Sequence, residues 1–253
     1  MKRPDPQRGG FHTATEWLRR HLAGLLAGTL VGAGTLLVIR GVTAPREADW
    51  GVTSLLVVVA VLMTGIAVAG SRLSTAHQLA VVAALAAFAT ASRLLFAALP
   101  NFKPVTFIVL VAGVALGPAP GFMVGATTGL VSNLFFGHGP WTPWQMLAWG
   151  AIGAAGGLMG LDGRRPARWE LVLVGGLSAV AFDWFVTLWM YLAFTARTWP
   201  ALVALYAQGL FFDASHAAAT CLFAAVFGTR MVALIGRYRS RTEVVLLPFT
   251  EEG

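Results

Sequence analysis

The chain has 253 residues, of which 57% are hydrophobic and only 11% are charged, and its mean hydropathy is +0.72. Soluble globular domains carry about 25% charged residues, so this composition excludes an ordinary soluble domain and predicts an integral membrane protein. The formal net charge of +7 arises mostly in the two tails and one short loop. Basic residues at such places report membrane topology, so the charge is no evidence of nucleic-acid binding.

The apolar pattern predicts an all-α fold of about eight transmembrane helices, because roughly 20 apolar residues cross a bilayer as one helix. The predicted spans are 18–40, 51–70, 76–99, 103–118, 119–137, 143–161, 168–194 and 203–231. We expect a tail over 1–17, two helices within 18–70, a six-helix unit over 76–231 and a second tail over 232–253. The first apolar run is longer than that of a signal peptide, and Pro45 follows its cleavage-like site, so we expect that span to be retained.

Lys and Arg residues are distributed unevenly between the two sides of the predicted bundle. With the N-terminus inside, thirteen of the 18 lie on the cytoplasmic side, four lie outside and one, Arg93, lies within a span. Positive residues accumulate on the cytoplasmic side of membranes, so both termini are expected there, in a multi-pass protein of the plasma membrane. Three loops then face outward: LPNFKP, GHGPWTP and FTARTWP.

The sequence lacks the common catalytic motifs. Its two lysines, Lys2 and Lys103, lie outside any glycine-rich phosphate loop, so the chain cannot bind ATP as a P-loop protein does. It has no H-E-x-x-H, no G-x-S-x-G and no acidic cluster for Mg²⁺, and its five histidines are scattered. We therefore predict no catalytic residue, no metal site and no cofactor, and we favour binding or transport.

Ionisable and polar side chains within apolar spans are costly and usually serve function. Those in this sequence are Arg93, Asp183, Thr187, Tyr191, Asp213 and His216. Asp183, Thr187 and Tyr191 recur at i, i+4 and i+8 on one face of the seventh span. Asp213 and His216 lie at i and i+3 in the last span. Two interpretations remain open: Arg93 pairs with Asp183 or Asp213 to hold the bundle together, or these groups form the floor of a ligand pocket.

One stretch interrupts the apolar chain with aromatic and polar residues: FFGHGPWTPWQM, at 135–146. Rigid aromatic surface beside a few hydrogen-bonding groups is typical of a small-molecule site, although Trp141 and Trp144 also fit a membrane-interface belt. Surface exposure is the alternative for His138, and helix capping for Asn133. The candidate substrate-binding residues are Asn101, Lys103, Asn133, His138, Trp141, Thr142, Trp144, Gln145, Asp183, Tyr191 and Asp213.

The third span carries a continuous row of small residues. Ala80, Ala84, Ala87 and Ala91 recur at helical spacing on one face. Small residues let another membrane helix approach closely. Both packing inside the bundle and docking of a separate membrane subunit fit this pattern.

The segment 99–150 resembles the substrate-binding S components of energy-coupling factor (ECF) transporters, especially the cobalamin-associated group. The resemblance rests on NFKP at 101–104, GPAPGFMVGA at 117–126 and GHGPWTPWQM at 137–146, and it covers the six spans of 76–231. It implies a bacterial membrane subunit that captures a vitamin from outside and has no ATPase of its own. Its partners would be a transmembrane T component and two ABC-type ATPase subunits.

The resemblance also assigns roles to particular regions. The three outward loops would enclose the ligand, and the alanine row would dock on the T component. Cobalamin is favoured because a flat, amide-rich molecule suits stacking on Trp141 and Trp144 and hydrogen bonding to Gln145. Two other classes stay open: a membrane-embedded lipid or prenyl enzyme that uses Asp183, Asp213 and His216, and a non-transporting scaffold.

Overall fold

The computed structural model describes residues 32, 50–73 and 75–240 of the chain. These residues form seven α-helices, one short 3₁₀ turn and no β-strand, which confirms the all-α class for this part. The helices are α1 (Trp50–Arg72), α2 (Ala76–Leu95), α3 (Val105–Leu116), α4 (Pro118–Phe136), α5 (Trp141–Met159), α6 (Arg168–Phe194) and α7 (Trp199–Ser240). Apart from Gly32, the span predicted over 18–40 lies outside the described residues, as do 1–17 and 241–253.

Four of these helices, α1, α2, α6 and α7, are long and apolar enough to cross a membrane. They also expose large apolar side chains, among them Leu56, Phe88, Leu177 and Leu210. Contiguous exposed apolar surface of this kind marks a membrane or protein contact. The described part of the chain therefore has the helix lengths and surface of a multi-pass membrane protein.

The short helix α3 lies in the middle of the bundle. It has 12 residues, or about 18 Å at ~1.5 Å per residue, which is less than a bilayer requires. Every residue from Val105 to Ala115 is buried, because α2, α4, α5, α6 and α7 all pack against it. The span predicted over 103–118 is therefore a core helix, which accounts for its being apolar on all sides.

Helices α4 and α5 approach each other closely through glycines. A methyl group added at Gly121 would collide with the carbonyl oxygen of Gly153, and one added at Gly125 would collide with that of Trp149. Small residues permit this close approach between membrane helices. The contact fixes the position of α5, on which the tryptophan motif lies.

Several helix boundaries differ from the prediction, and those of α5 and α7 place predicted loop or tail residues in a helix. Helix α5 begins at Trp141, so Trp141 and Thr142, expected in a loop, lie in its first turn, where Pro143 is tolerated because the first N–H groups need no helical partner. Helix α7 runs from Trp199 to Ser240, so the start of the tail predicted over 232–253 is helical.

Three loops lie at one end of the bundle, which we call the loop end: 96–104, 137–140 and 195–198. Trp141, at the start of α5, packs edge-on against Trp189, near the end of α6, with ring centroids 5.7 Å apart. Helix α1 packs on α4, α5 and α6, and thus supports the loop end from one side.

Candidate functional site

The 96–104 loop is fastened to α6 and α7 by hydrogen bonds. Asn101 has a φ of +52°, in the left-handed region that asparagine tolerates better than most residues. Its Nδ2 donates to both carboxylate oxygens of Asp183, at 3.2 and 3.1 Å, and to the carbonyl oxygen of Phe212 at 3.2 Å. The hydroxyl of Ser215 donates to the carbonyl oxygen of Pro100 at 2.6 Å.

These attachments set the loop deep in the bundle. Asp183 lies eleven residues (194 − 183) before the end of α6, which is about 16 Å at ~1.5 Å per residue. Phe212 lies thirteen residues (212 − 199) after the start of α7. The α6–α7 hairpin therefore extends beyond the 96–104 loop, whose polar residues Asn101 and Lys103 are half-buried at that depth.

A chain of hydrogen bonds runs from the same carboxylate into the core. Asp183 Oδ2 lies 2.8 Å from His216 Nδ1, and His216 Nε2 lies 2.7 Å from Thr106 Oγ1. The indole N–H of Trp149 donates to that hydroxyl oxygen at 3.0 Å. Because an indole only donates and a carboxylate only accepts, Thr106 Oγ1 accepts the Trp149 N–H, and Asp183 Oδ2 accepts a hydrogen bond from His216 Nδ1.

We call these four hydrogen-bonded residues (Thr106, Trp149, Asp183 and His216) the histidine chain. Its inner end is buried in the core, and its Asp183 end is partly exposed to solvent. Thr106, Trp149 and His216 are buried, whereas the Asp183 side chain is 14% exposed. Phe182 stacks on Trp149 with ring centroids 4.4 Å apart and lies edge-on to His216. Buried polar networks are stable only when their members are paired, and this one is paired throughout.

Asp213, one helical turn before His216, has a separate partner. Its Oδ2 accepts a hydrogen bond from Trp184 Nε1 at 3.0 Å. The hydroxyl of Tyr206 donates to the Trp184 carbonyl oxygen at 3.2 Å, and the two rings lie 5.2 Å apart. The predicted i, i+3 pair thus shares a helix face, but its two side chains bind different groups of α6.

Arg93 does not pair with Asp183 or Asp213, so that interpretation is wrong. Among the described residues it makes no ion pair. Its Nη1 instead donates to Ser132 Oγ at 2.5 Å and to Asn133 Oδ1 at 2.9 Å. The arginine therefore binds neutral groups of α4, while both carboxylates are engaged elsewhere.

Two cations lie beside one aromatic ring. The Arg93 guanidinium is 4.5 Å from the centroid of Phe136 and 5.1 Å from that of Trp149, and Lys103 Nζ is 5.9 Å from the Phe136 centroid. Burial lowers the pKa of Lys103, and the Arg93 charge lowers it further, whereas Asp183 raises it. Through Trp149, the arginine also contacts the histidine chain.

Asn133 connects the arginine to the tryptophan motif. Its Nδ2 donates to Thr142 Oγ1 at 3.0 Å and to Gln145 Oε1 at 2.8 Å. Thr142 Oγ1 also accepts the backbone N–H of Gly139 at 3.2 Å, and the exposed His138 has its Nδ1 3.4 Å away. The buried amide thus holds the 137–140 loop against the end of α4.

The two tryptophans of the motif pack against the bundle instead of standing open to solvent. Trp141 is half-buried, and Trp144 is only 4% exposed, with its ring centroid 5.0 Å from that of Phe185. The Trp144 indole nitrogen is buried and has no hydrogen-bond partner among the residues that the structure describes. Such a group is uncommon in folded proteins, and an acceptor carried by a ligand would satisfy it.

Tyr191 stands apart from the other candidates. Its hydroxyl donates to the carbonyl oxygen of Thr198 at 3.5 Å, so it contacts the 195–198 loop and not Asp183. Asp183 and Tyr191 both lie on α6, eight residues apart as predicted, but their side chains contact different groups. Nearby, Arg197 lies over the Trp50 ring at 5.7 Å.

The structure gathers the predicted residues into neighbouring groups. Asn101, Asp183 and, by its charge, Lys103 form one; Asn133, His138, Thr142 and Gln145 form the other. Sequence reasoning missed four members of these networks: Thr106, Trp149, Trp184 and Phe136. The available signal was that a tryptophan N–H or threonine hydroxyl within an apolar span must find a partner when buried. Within the described ranges, no three His, Cys, Asp or Glu side chains converge to hold a metal ion.

The alanine row of α2 lies on the surface of the bundle. Ala80, Ala84, Ala87 and Ala91 are all exposed, and we call them the alanine face. The opposite side of the helix, with Val82, Ala86 and Ala89, is buried. A groove of about 680 Å³ runs between this face and α7; it is lined by His77, Ala80, Val81, Ala84, Leu85, Leu234, Ile235 and Arg237.

The described part of the chain is an all-helical bundle with four helices able to cross a membrane and a polar network beneath one of its ends. The chain belongs to DUF6580, a family of unknown function whose model matches residues 73–242. The match includes both polar groups and the alanine face, and it leaves out α1. No curated protein and no solved structure matches the chain.

Proposed function

We propose that this protein is the substrate-binding S component of an ECF-type, ATP-driven vitamin importer in a bacterial plasma membrane. It captures a small organic nutrient from outside, with cobalamin or a related corrinoid favoured. It works with a T component and two ABC-type ATPase subunits. A multi-pass arrangement with both termini in the cytoplasm and an outward-facing loop end belongs to the same proposal.

The observation that carries the proposal is the depth of the 96–104 loop. Asn101, Lys103 and Asp183 offer partly exposed amide, ammonium and carboxylate groups, about 16 Å below the end of α6 at ~1.5 Å per residue. Trp141 and Trp144 lie nearer the loop end, beside the later part of α6. A polar floor with aromatic walls is typical of a small-molecule site.

The alanine face supports the assignment of a membrane partner. Its four small side chains are exposed along one line of α2, where a helix of another subunit can approach closely. Helix α1 packs on α4, α5 and α6, so this additional helix leaves the alanine face uncovered. The T component would contact that face.

Reconstituted transport tests the proposal. The purified chain would be placed in liposomes with a T component and two ATPases of an ECF transporter, and uptake of radiolabelled cobalamin would be measured with other vitamins as competitors. We expect uptake that requires ATP and all four subunits. Conversion of the vitamin, or uptake by the chain alone, would contradict the proposal.

One observation favours a second candidate, a membrane-embedded lipid or prenyl enzyme. Thr106, His216 and Asp183 follow one another at 2.7 and 2.8 Å, the order of a nucleophile, a base and an orienting acid. The Thr106 hydroxyl, however, is fully buried and already accepts the Trp149 N–H. The enzyme hypothesis requires turnover by the purified chain that Asp213→Asn or His216→Gln abolishes.

A further inference from the structure

Arg93 has hydrogen-bonding capacity that the described part of the chain does not use. A guanidinium offers five N–H donors in one plane. Both of its hydrogen bonds within the described part of the chain start from Nη1 and reach Ser132 and Asn133. The edge formed by Nε and Nη2 is left without a protein acceptor there, and the side chain is only half-buried.

Neither of the two cations at this place forms an ion pair with a carboxylate of the described residues. Lys103 lies beside the same Phe136 ring as Arg93, so the two cations reinforce each other. The carboxylate of Asp183, whose charge acts on Lys103, is itself hydrogen-bonded to Asn101 and His216. Partly buried charges in membrane proteins are usually paired, so this pair of cations calls for an anion from outside the chain.

We infer that Arg93 and Lys103 bind an anionic group, a carboxylate or a phosphate, of the molecule captured at the loop end. This inference rests on the proposed function, and it adds a substrate class and a residue, Arg93, to it. The free guanidinium edge matches two anionic oxygens in a bidentate arrangement. Phe136 is 40% exposed, so a ligand can reach the cations beside its ring.

Matched pairs of vitamins test the inference on the full chain in detergent. Each pair differs in one anionic group: nicotinate and nicotinamide, and biotin and biotin amide. Cobalamin is also compared with cobinamide, which lacks the phosphodiester together with its ribose and base. Isothermal titration calorimetry should show one anionic member binding at least about tenfold more tightly than its neutral mate. Arg93→Gln and Lys103→Gln should each remove most of that preference, and Arg93→Lys should restore part of it.

Arg165→Gln is the control, because this exposed arginine lies in the connection between α5 and α6, outside the three loops of the loop end. It should leave the preference unchanged. If a vitamin binds while both members of its pair bind alike, and Lys103→Gln and Arg93→Gln leave the Kd unchanged, the anion site is wrong and the proposed function stands.

A second arm covers the case in which no vitamin binds, which would refute the proposed function. Thermal unfolding is then compared in inorganic phosphate and in chloride at equal ionic strength. The anion site predicts a higher Tm in phosphate for the natural chain and a smaller rise for Arg93→Gln and for Lys103→Gln. Equal rises in all three proteins would overturn the site.

Discussion

His216 Nδ1 and Asp183 Oδ2 lie 2.8 Å apart and join α7 to α6 at the depth of the 96–104 loop. The same carboxylate accepts Asn101 from that loop. Asp183 is therefore the residue at which the buried histidine chain meets the accessible floor of the candidate site. Its partners hold it in place from both sides, so a ligand at this floor would meet a fixed carboxylate.

Removing the Thr106 hydroxyl should destabilise the fold. Thr106→Val leaves the Trp149 N–H and His216 Nε2 buried without partners, at a cost of about 1–3 kcal/mol for each group. Thr220→Val is the control, because the Thr220 hydroxyl is equally buried but finds no hydrogen-bond partner within 50–73 and 75–240. Denaturant or thermal unfolding in detergent should show a marked loss for the first variant and none for the second. An equal loss of stability in both variants would contradict the hydrogen bonds assigned to the histidine chain.

Substitution by Phe should affect Trp149 and Trp144 differently, because the indole N–H of Trp149 is hydrogen-bonded and that of Trp144 is not bonded within the described residues. Trp149→Phe removes a donor that Thr106 uses and should destabilise by about 1–3 kcal/mol. Trp144→Phe removes a donor without a partner, so unfolding should be unchanged or slightly harder. If that N–H serves the ligand, Trp144→Phe should weaken vitamin binding in a filter-binding assay. An unaltered Kd would exclude this role.

Large side chains on the alanine face should be tolerated by the protein alone but should prevent binding of the T component. Ala84→Trp and Ala87→Trp place large side chains where a partner helix must approach closely. We expect both variants to bind vitamin normally and to lose the T component during co-purification. Leu177→Trp changes an equally exposed apolar site on α6 and should retain the partner. A T component that stays bound to both alanine variants would refute docking at this face.

Binding of an anionic vitamin should weaken at alkaline pH. Because burial and Arg93 lower the pKa of Lys103, its charge is present below the lowered pKa and is lost as pH rises through it. The loss should therefore begin at a lower pH than for an exposed lysine, and Lys103→Arg should abolish it. By linkage, folding becomes more favourable as pH rises between the lowered and the ordinary pKa. A pH-independent Kd in the natural chain would count against a charged contact at Lys103.

Composition and periodicity were sufficient to predict the four long apolar helices. The runs at α1, α2, α6 and α7 are long and apolar, and helices of this kind appear at those positions. The same reasoning failed for α3, because an apolar run of that length fits either a short span or a buried helix. Only the packing of five helices around Val105–Ala115 separates the two.

The candidate site was predictable in its members but not in its connections. Asp183, His216 and Arg93 were identifiable as polar groups in apolar spans, and a salt bridge was the simplest expectation. The structure pairs Arg93 with Ser132 and Asn133 instead. Helical spacing fixes which residues share a face of one helix, but the rotation of each helix toward its neighbours depends on packing across the bundle.

Equilibrium binding of radiolabelled cobalamin to the purified full chain tests the central claim most directly. The account predicts saturable binding at micromolar concentration or below, which Asp183→Ala and Gln145→Ala weaken while His138→Ala, at an exposed loop position, does so least. A chain that is folded by its thermal unfolding curve, yet binds neither cobalamin nor any vitamin in the competitor panel, would contradict the account.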